Sequence, residues 1–120
     1  MNTYLGVEEL LGKTLAKITQ NGDDELYFTT TDGTTYKMFH YQDCCELVYI
    51  EDIIGDLGDL IGAPLLMAEE VTERGREDNW KSQTWTFYKF ATLKGYVTIR
   101  WLGESNGYYS ESVDFVRDDM

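Results

Sequence analysis

The stretch Thr84-Trp85-Thr86-Phe87-Tyr88-Lys89-Phe90-Ala91-Thr92-Leu93-Lys94-Gly95-Tyr96-Val97-Thr98-Ile99-Arg100-Trp101-Leu102 decides the fold of this chain. Aromatic and β-branched residues fill both arms, and Lys94-Gly95 supplies a turn between them, so 84–93 and 96–102 read as a β-hairpin. In the second arm Val97, Ile99 and Trp101 share one face, opposite Tyr96, Thr98, Arg100 and Leu102. In the first arm Trp85, Phe87, Ala91 and Leu93 alternate with Thr84, Thr86, Tyr88, Phe90 and Thr92. A further strand over 108–116 is expected to pair with 96–102 through Ser105-Asn106-Gly107. One face of this sheet is then core. The other is polar and aromatic, with Arg100 near its centre among Thr, Ser and Tyr side chains.

Further toward the N-terminus the pattern is shorter but similar. Residues 7–11 read as a helical turn ended by Gly12. Runs at 15–19, 26–31 and 34–39, separated by Asn21-Gly22 and Asp32-Gly33, read as a three-stranded meander. Residues 47–50 are β-prone. Over 51–61 the period changes: Ile53, Ile54, Leu57, Leu60 and Ile61 fall on one helical face and Asp52, Asp56 and Asp59 on the other. This predicts a helix packed on the sheet, although Gly55 and Gly58 weaken it. Gly62 and Pro64 would end it. A strand is expected over 64–71 and a polar, mobile loop over 73–82. The fold expected is α+β: a twisted antiparallel β-sheet with one packed helix and a short N-terminal helical turn, in a single domain over 1–120.

With 120 residues and 42% hydrophobic content, the chain can bury a core without disulfides. The net charge of −12 argues against a nucleic-acid backbone binder or an anionic membrane surface as partner. It permits solubility and steering toward a basic partner. All ten basic residues lie outside 38–72, so one face is expected to be strongly negative. No apolar run approaches the ~20 residues of a membrane span, and the N-terminus has no signal pattern. A cytoplasmic protein with reduced cysteines is the expectation.

The only histidine and both cysteines lie in His40-Tyr41-Gln42-Asp43-Cys44-Cys45-Glu46. Adjacent cysteines do not easily point at one metal ion, and zinc sites space them by two to four residues. A vicinal disulfide closes a strained eight-membered ring. A Cys–His nucleophile needs an orienting third group and oxyanion donors, and no oxyanion element is recognisable. The stretch therefore reads as structural, with Cys44 or Cys45 filling the core, Asp43 capping a turn and His40 at a strand end. No catalytic residue, cofactor or metal site is expected. The better binding candidate is the polar-aromatic sheet face. There Arg100 would hold a phosphate, Tyr88, Trp101 and Tyr108 would stack a base, and Ser105, Asn106 and Ser110 would supply hydrogen bonds.

The segments His40-Tyr41-Gln42-Asp43-Cys44-Cys45-Glu46, Ile50-Glu51-Asp52-Ile53, Gly55-Asp56-Leu57, Asp59-Leu60-Ile61-Gly62, Trp85-Thr86-Phe87-Tyr88-Lys89 and Gly103-Glu104-Ser105-Asn106-Gly107-Tyr108-Tyr109-Ser110-Glu111 carry a resemblance. Nearly end to end, the chain resembles a family of small tailed-phage proteins of unknown function. The resemblance implies phage origin and a compact domain in the host cytoplasm, and it brings no catalytic residues. Small phage accessory proteins counter host defence, some as sponges for cyclic nucleotide signals and others by covering host proteins. By that analogy the chain is expected to be a non-enzymatic protein that sequesters a small nucleotide signal. The alternative is an acidic inhibitor that blocks a host defence protein through Asp52, Asp56 and Asp59. Exposed aromatics and a sheet edge lead to the expectation of a homodimer.

Overall fold

Alternation of buried and less buried residues sets the architecture over 25–30, 35–39, 86–92 and 97–101. A computed structural model describes residues 3–77 and 81–118. Among the described residues nine strands are formed: β1 (Thr3–Tyr4), β2 (Leu15–Asn21), β3 (Glu25–Thr30), β4 (Thr35–Phe39), β5 (Leu47–Ile54), β6 (Met67–Glu77), β7 (Ser82–Thr92), β8 (Gly95–Ser105) and β9 (Asp114–Arg117). One sheet has the order β1-β9-β4-β3-β2 and the other β5-β8-β7-β6. Every ladder between named strands is antiparallel.

The meander forms as β2-β3-β4, and the hairpin of 84–102 forms as β7-β8 in unbroken register from Ser82↔Ser105 to Thr92↔Gly95. The two sheets share one core. Leu26, Phe28, Tyr36 and Met38 come from one, and Ile50, Tyr88, Phe90, Ile99 and Trp101 from the other. Phe28 and Phe90 meet across the interface with ring centroids 5.7 Å apart. The N-terminal helical turn is a 3-10 turn, Val7–Leu10, which buries Val7 and Leu10.

The packed helix over 51–61 does not form, and the described residues hold no α-helix. Instead β5 runs on to Ile54, pairing with β8 past a bulge between Ile50 and Asp52. Gly55 then turns the chain with φ +112, a conformation that excludes helix, and a Cβ there would lie 2.6 Å from the Tyr96 carbonyl oxygen. A second 3-10 turn, Leu57–Leu60, follows, and the Asp56 carboxylate caps it by accepting the Gly58 N–H at 2.9 Å. The period of 3.6 in 51–61 was thus produced by a strand end and a turn, each burying apolar residues against the same core. Two further expectations are corrected. Most of 73–82 is strand, because β6 extends to Glu77 and β7 begins at Ser82; residues 78–80 lie outside the described residues. The last strand does not pair with β8. It crosses to the other sheet, where β9 lies between β1 and β4. The fold is therefore all-β in its sheets, two layers of antiparallel strands.

Candidate functional site

After β8 the chain must cross between sheets, and residues 105–113 make that crossing as a strap held by its own side chains. Asn106 Oδ1 accepts the Tyr108 N–H at 3.0 Å, and Ser105 Oγ accepts the Gly107 N–H at 3.0 Å. Such short polar side chains fix turns by capping the backbone two residues on. Ser110 Oγ lies 2.7 Å from Ser112 Oγ. Glu111 turns inward and is buried. Its Oε1 accepts the Thr84 hydroxyl of β7 at 2.8 Å, and its Oε2 accepts the Ser105 hydroxyl.

Between this strap and the far end of the β6–β7 hairpin lies a polar cleft of about 290 Å³, walled by Arg74, Lys81, Thr84, Asn106, Tyr109 and Glu111 among others. A second hollow of about 340 Å³ shares Lys81 and Asn106 with it and reaches Cys45, Leu47 and Glu104. Arg74 is paired with Glu77 at 2.6 Å. One such contact leaves most of the five guanidinium donors for other acceptors.

The residues picked from the sequence are not brought together. Ser105 and Asn106 lie at the clefts. Tyr108 is 88% exposed on the strap, and it is Tyr109 that lines the cleft. Ser110 is engaged with Ser112. Tyr88 and Trp101 are fully buried on the inner face, so neither can stack a ligand from the surface. Burial, together with the Glu70 carboxylate paired opposite on β6, pushes the Tyr88 phenol up. Arg100 faces outward, but Glu51 Oε1 takes its Nε at 2.7 Å and a terminal nitrogen at 2.6 Å, with Asp52 at 3.5 Å. Its guanidinium also lies 5.6 Å from the Trp85 ring. A cation so neutralised is a poor phosphate ligand. Glu111, Tyr109, Lys81 and Arg74 were missed because nothing in their local sequence shows that the strap folds back beside β7.

Within the 40–46 stretch the hydrogen bonds centre on a residue other than the Asp43 chosen from the sequence. His40 Nδ1 meets the Ser112 carbonyl oxygen at 2.7 Å, and Nε2 meets Glu46 Oε2 at 2.6 Å. Glu46 also accepts the Asp43 N–H at 2.8 Å and the Cys44 N–H at 2.9 Å. Glu46, not Asp43, gathers the turn, and the group ties the end of β4 and the strap to the start of β5. Cys44 and Cys45 are exposed and bonded to each other, which corrects both the expectation of free thiols and that of a core cysteine. Being adjacent at a bend, their sulfurs meet in solvent while Glu46 and Val48 take the interior. No group of three or more potential metal ligands occurs among the described residues.

The His40 hydrogen bond, assisted by the two amides, holds the Glu46 carboxyl down at about 2, against an ordinary 4.5. A depressed carboxyl stabilises the fold above its unfolded-state pKa, and that contribution is lost as pH falls through the folded value. Glu46→Gln is therefore expected to lower the urea midpoint at pH 7. The gap to wild type should close as pH falls from about 4.5 toward 2. Urea titrations of both proteins across that range check it, and a pH-independent gap overturns the assignment.

The acidic stripe does not exist as one face. Asp52 neighbours Arg100, Asp56 caps its own turn, and Asp59 packs at Gly95. A different surface emerges on the outer side of the β5-β8-β7-β6 sheet. Cross-strand register lines up Glu73, Trp85, Leu102 and Tyr49 in one row, with Val71, Phe87, Arg100 and Asp52 in the next. Leu102 is buried yet lies outside the shared core. The outer side of this sheet mixes apolar side chains with charged ones, and the other sheet covers the inner side.

Fold and site define a two-layer antiparallel β domain with a polar cleft at one end. The chain belongs to the family described as a domain of unknown function (DUF7448), whose model matches residues 8–115. Neither a curated protein nor a solved structure matches it. No helix among the described residues is long and apolar enough to cross a membrane.

Proposed function

We propose that this chain is a non-enzymatic binding protein that sequesters a small nucleotide signal, as a phage accessory protein acting against host antiviral defence in the host cytoplasm. The cleft carries this reading. It places two cationic side chains, Arg74 and Lys81, and two carboxylates, Glu77 and Glu111, with the hydroxyl of Thr84, the amide of Asn106 and the ring of Tyr109 around about 290 Å³. That is the lower end of small-ligand pockets, roughly 300–1,000 Å³. It suits one nucleotide unit, with the adjoining hollow able to take a second. The phosphate role passes from Arg100 to Lys81 and Arg74, and the stacking role from Tyr88 and Trp101 to Tyr109. The phage setting rests on the sequence resemblance alone.

A second reading, a protein inhibitor of a host defence protein, draws on the outer sheet face. Its apolar rows of Val71, Phe87, Trp85, Leu102 and Tyr49 carry Glu69 and Glu73 on one side and Glu51 and Asp52 on the other. That chemistry suits a partner with an apolar centre and a basic rim.

One experiment separates the two. The protein is incubated with a panel of linear and cyclic nucleotides, and free ligand is quantified before and after heat release. Depletion of at least one nucleotide, reduced about tenfold or more by Lys81→Ala, is expected. Depletion of none sinks the nucleotide reading. Anti-defence activity lost in Phe87→Glu but kept in Lys81→Ala would favour the inhibitor.

A further inference from the structure

We infer that the cleft selects guanine among the bases, with the carboxylate of Glu111 reading its Watson–Crick edge; this rests on the nucleotide reading above. Glu111 is 9% exposed, lines the cleft, and is held from both sides by hydroxyl donors, Thr84 on Oε1 and Ser105 on Oε2. Those two bonds fix the orientation of the carboxylate and fill two of its roughly four acceptor positions. What remains is a pair of acceptors with no hydrogen of its own to offer.

The bases differ in what they present to such a group. Guanine offers two adjacent donors, N1–H and the 2-amino group, which match the two oxygens of a carboxylate. Adenine offers one amino group beside the acceptor N1, and cytosine one amino group beside the acceptor N3. In both, a ring lone pair opposes the carboxylate. Uracil offers a single N–H flanked by two carbonyls. A buried group left facing an acceptor has lost its hydration without regaining a hydrogen bond, and that is what discriminates. Tyr109, in the same wall, supplies a ring on which the base can stack. The phosphate meets Arg74 and Lys81, the cations of the same wall, against the repulsion of Glu77 and Glu111.

The test is equilibrium dialysis of the full chain against GMP, AMP, CMP and UMP, repeated with 3′,5′-cyclic GMP and cyclic AMP. Wild type is expected to bind the guanine member of each series about a hundredfold tighter than the adenine member. Glu111→Gln replaces one acceptor with a donor, the pattern that complements adenine. It is expected to lose most of the guanine preference and to gain affinity for AMP. Thr84→Val keeps the volume and removes one orienting hydroxyl. It should weaken guanine discrimination severalfold. Binding of all bases alike, or an adenine preference in wild type, overturns the guanine inference and leaves the nucleotide reading standing. Binding of none overturns both. The wild-type panel decides the matter even where a variant fails to fold.

Discussion

Replacing Trp101 by alanine is expected to cost about 3–5 kcal/mol, the range for large aromatic truncations in a core. Trp101 is fully buried at the middle of β8, paired with Ile50 on β5 and Thr86 on β7. Its ring fills space between two sheets whose backbones are fixed by ladders on either side, so the cavity cannot close by collapse of neighbours. At roughly 3–6 °C per kcal/mol for a domain of this size, the melting midpoint should fall by about 10–30 °C. Trp101→Phe provides the contrast. The indole Nε1 has no hydrogen-bond partner among the described residues, so its removal breaks none, and the cost should be about 1–2 kcal/mol of lost packing. Urea titration of the three proteins measures both differences. A cost below 1 kcal/mol for Trp101→Ala would show that the ring is not a core element. Nucleotide binding by folded Trp101→Phe should equal wild type, because the ring is remote in role from the cleft; a selective loss would restore Trp101 as a ligand contact.

Gly103→Ala is expected to damage stability and the cleft together. A Cβ at Gly103 would lie 2.5 Å from the Glu111 carbonyl oxygen, 2.7 Å from its Cβ and 3.1 Å from its Cα. Two of those atoms are backbone, so no side-chain rotation relieves the clash, and the strap must move away from β8. Moving it pulls Glu111 from Thr84 and Ser105 and displaces the cleft wall that carries Tyr109. Overpacking of this kind costs about 1–3 kcal/mol. Ligand affinity should fall at least about tenfold at temperatures where circular dichroism shows the variant folded, since one lost bond to a charged group is worth that much. Unchanged stability and unchanged binding would mean that the strap is not seated on β8.

Local chemistry made much of the fold legible. The β2-β3-β4 meander and the β7-β8 hairpin follow from period-2 alternation between short turn signals, because both the ladder and the turn are made by residues near in sequence. The segment over 51–61 failed for an identifiable reason. Hydrophobic spacing reports which residues face a core, and a strand end followed by a 3-10 turn can bury Ile53, Leu57 and Leu60 as a helix would. Gly55, at φ +112, is the residue that stops a helix from running through the segment.

The 108–116 run shows the opposite limit. Its β preference was readable and part of it, β9, is a strand, but its neighbours are β1 and β4, far away in sequence. A sequence does not state which edge a strand will join. The candidate site failed with it: Glu111 and Tyr109 meet Lys81 and Arg74 only because the strap crosses from one sheet to the other.

By itself the sequence determined an acidic, strand-rich chain and two correct local β units. Only the tertiary structure decided which face of β7 is inside. Trp85 and Phe87 alternate with Tyr88 and Phe90, so apolar content cannot choose between them. The choice falls to Phe28 and the other side chains of the opposing sheet, which pack against Phe90 and leave Trp85 beside Arg100 on the outer side. Alternation is a property of one strand, whereas inside and outside are properties of what that strand is packed against.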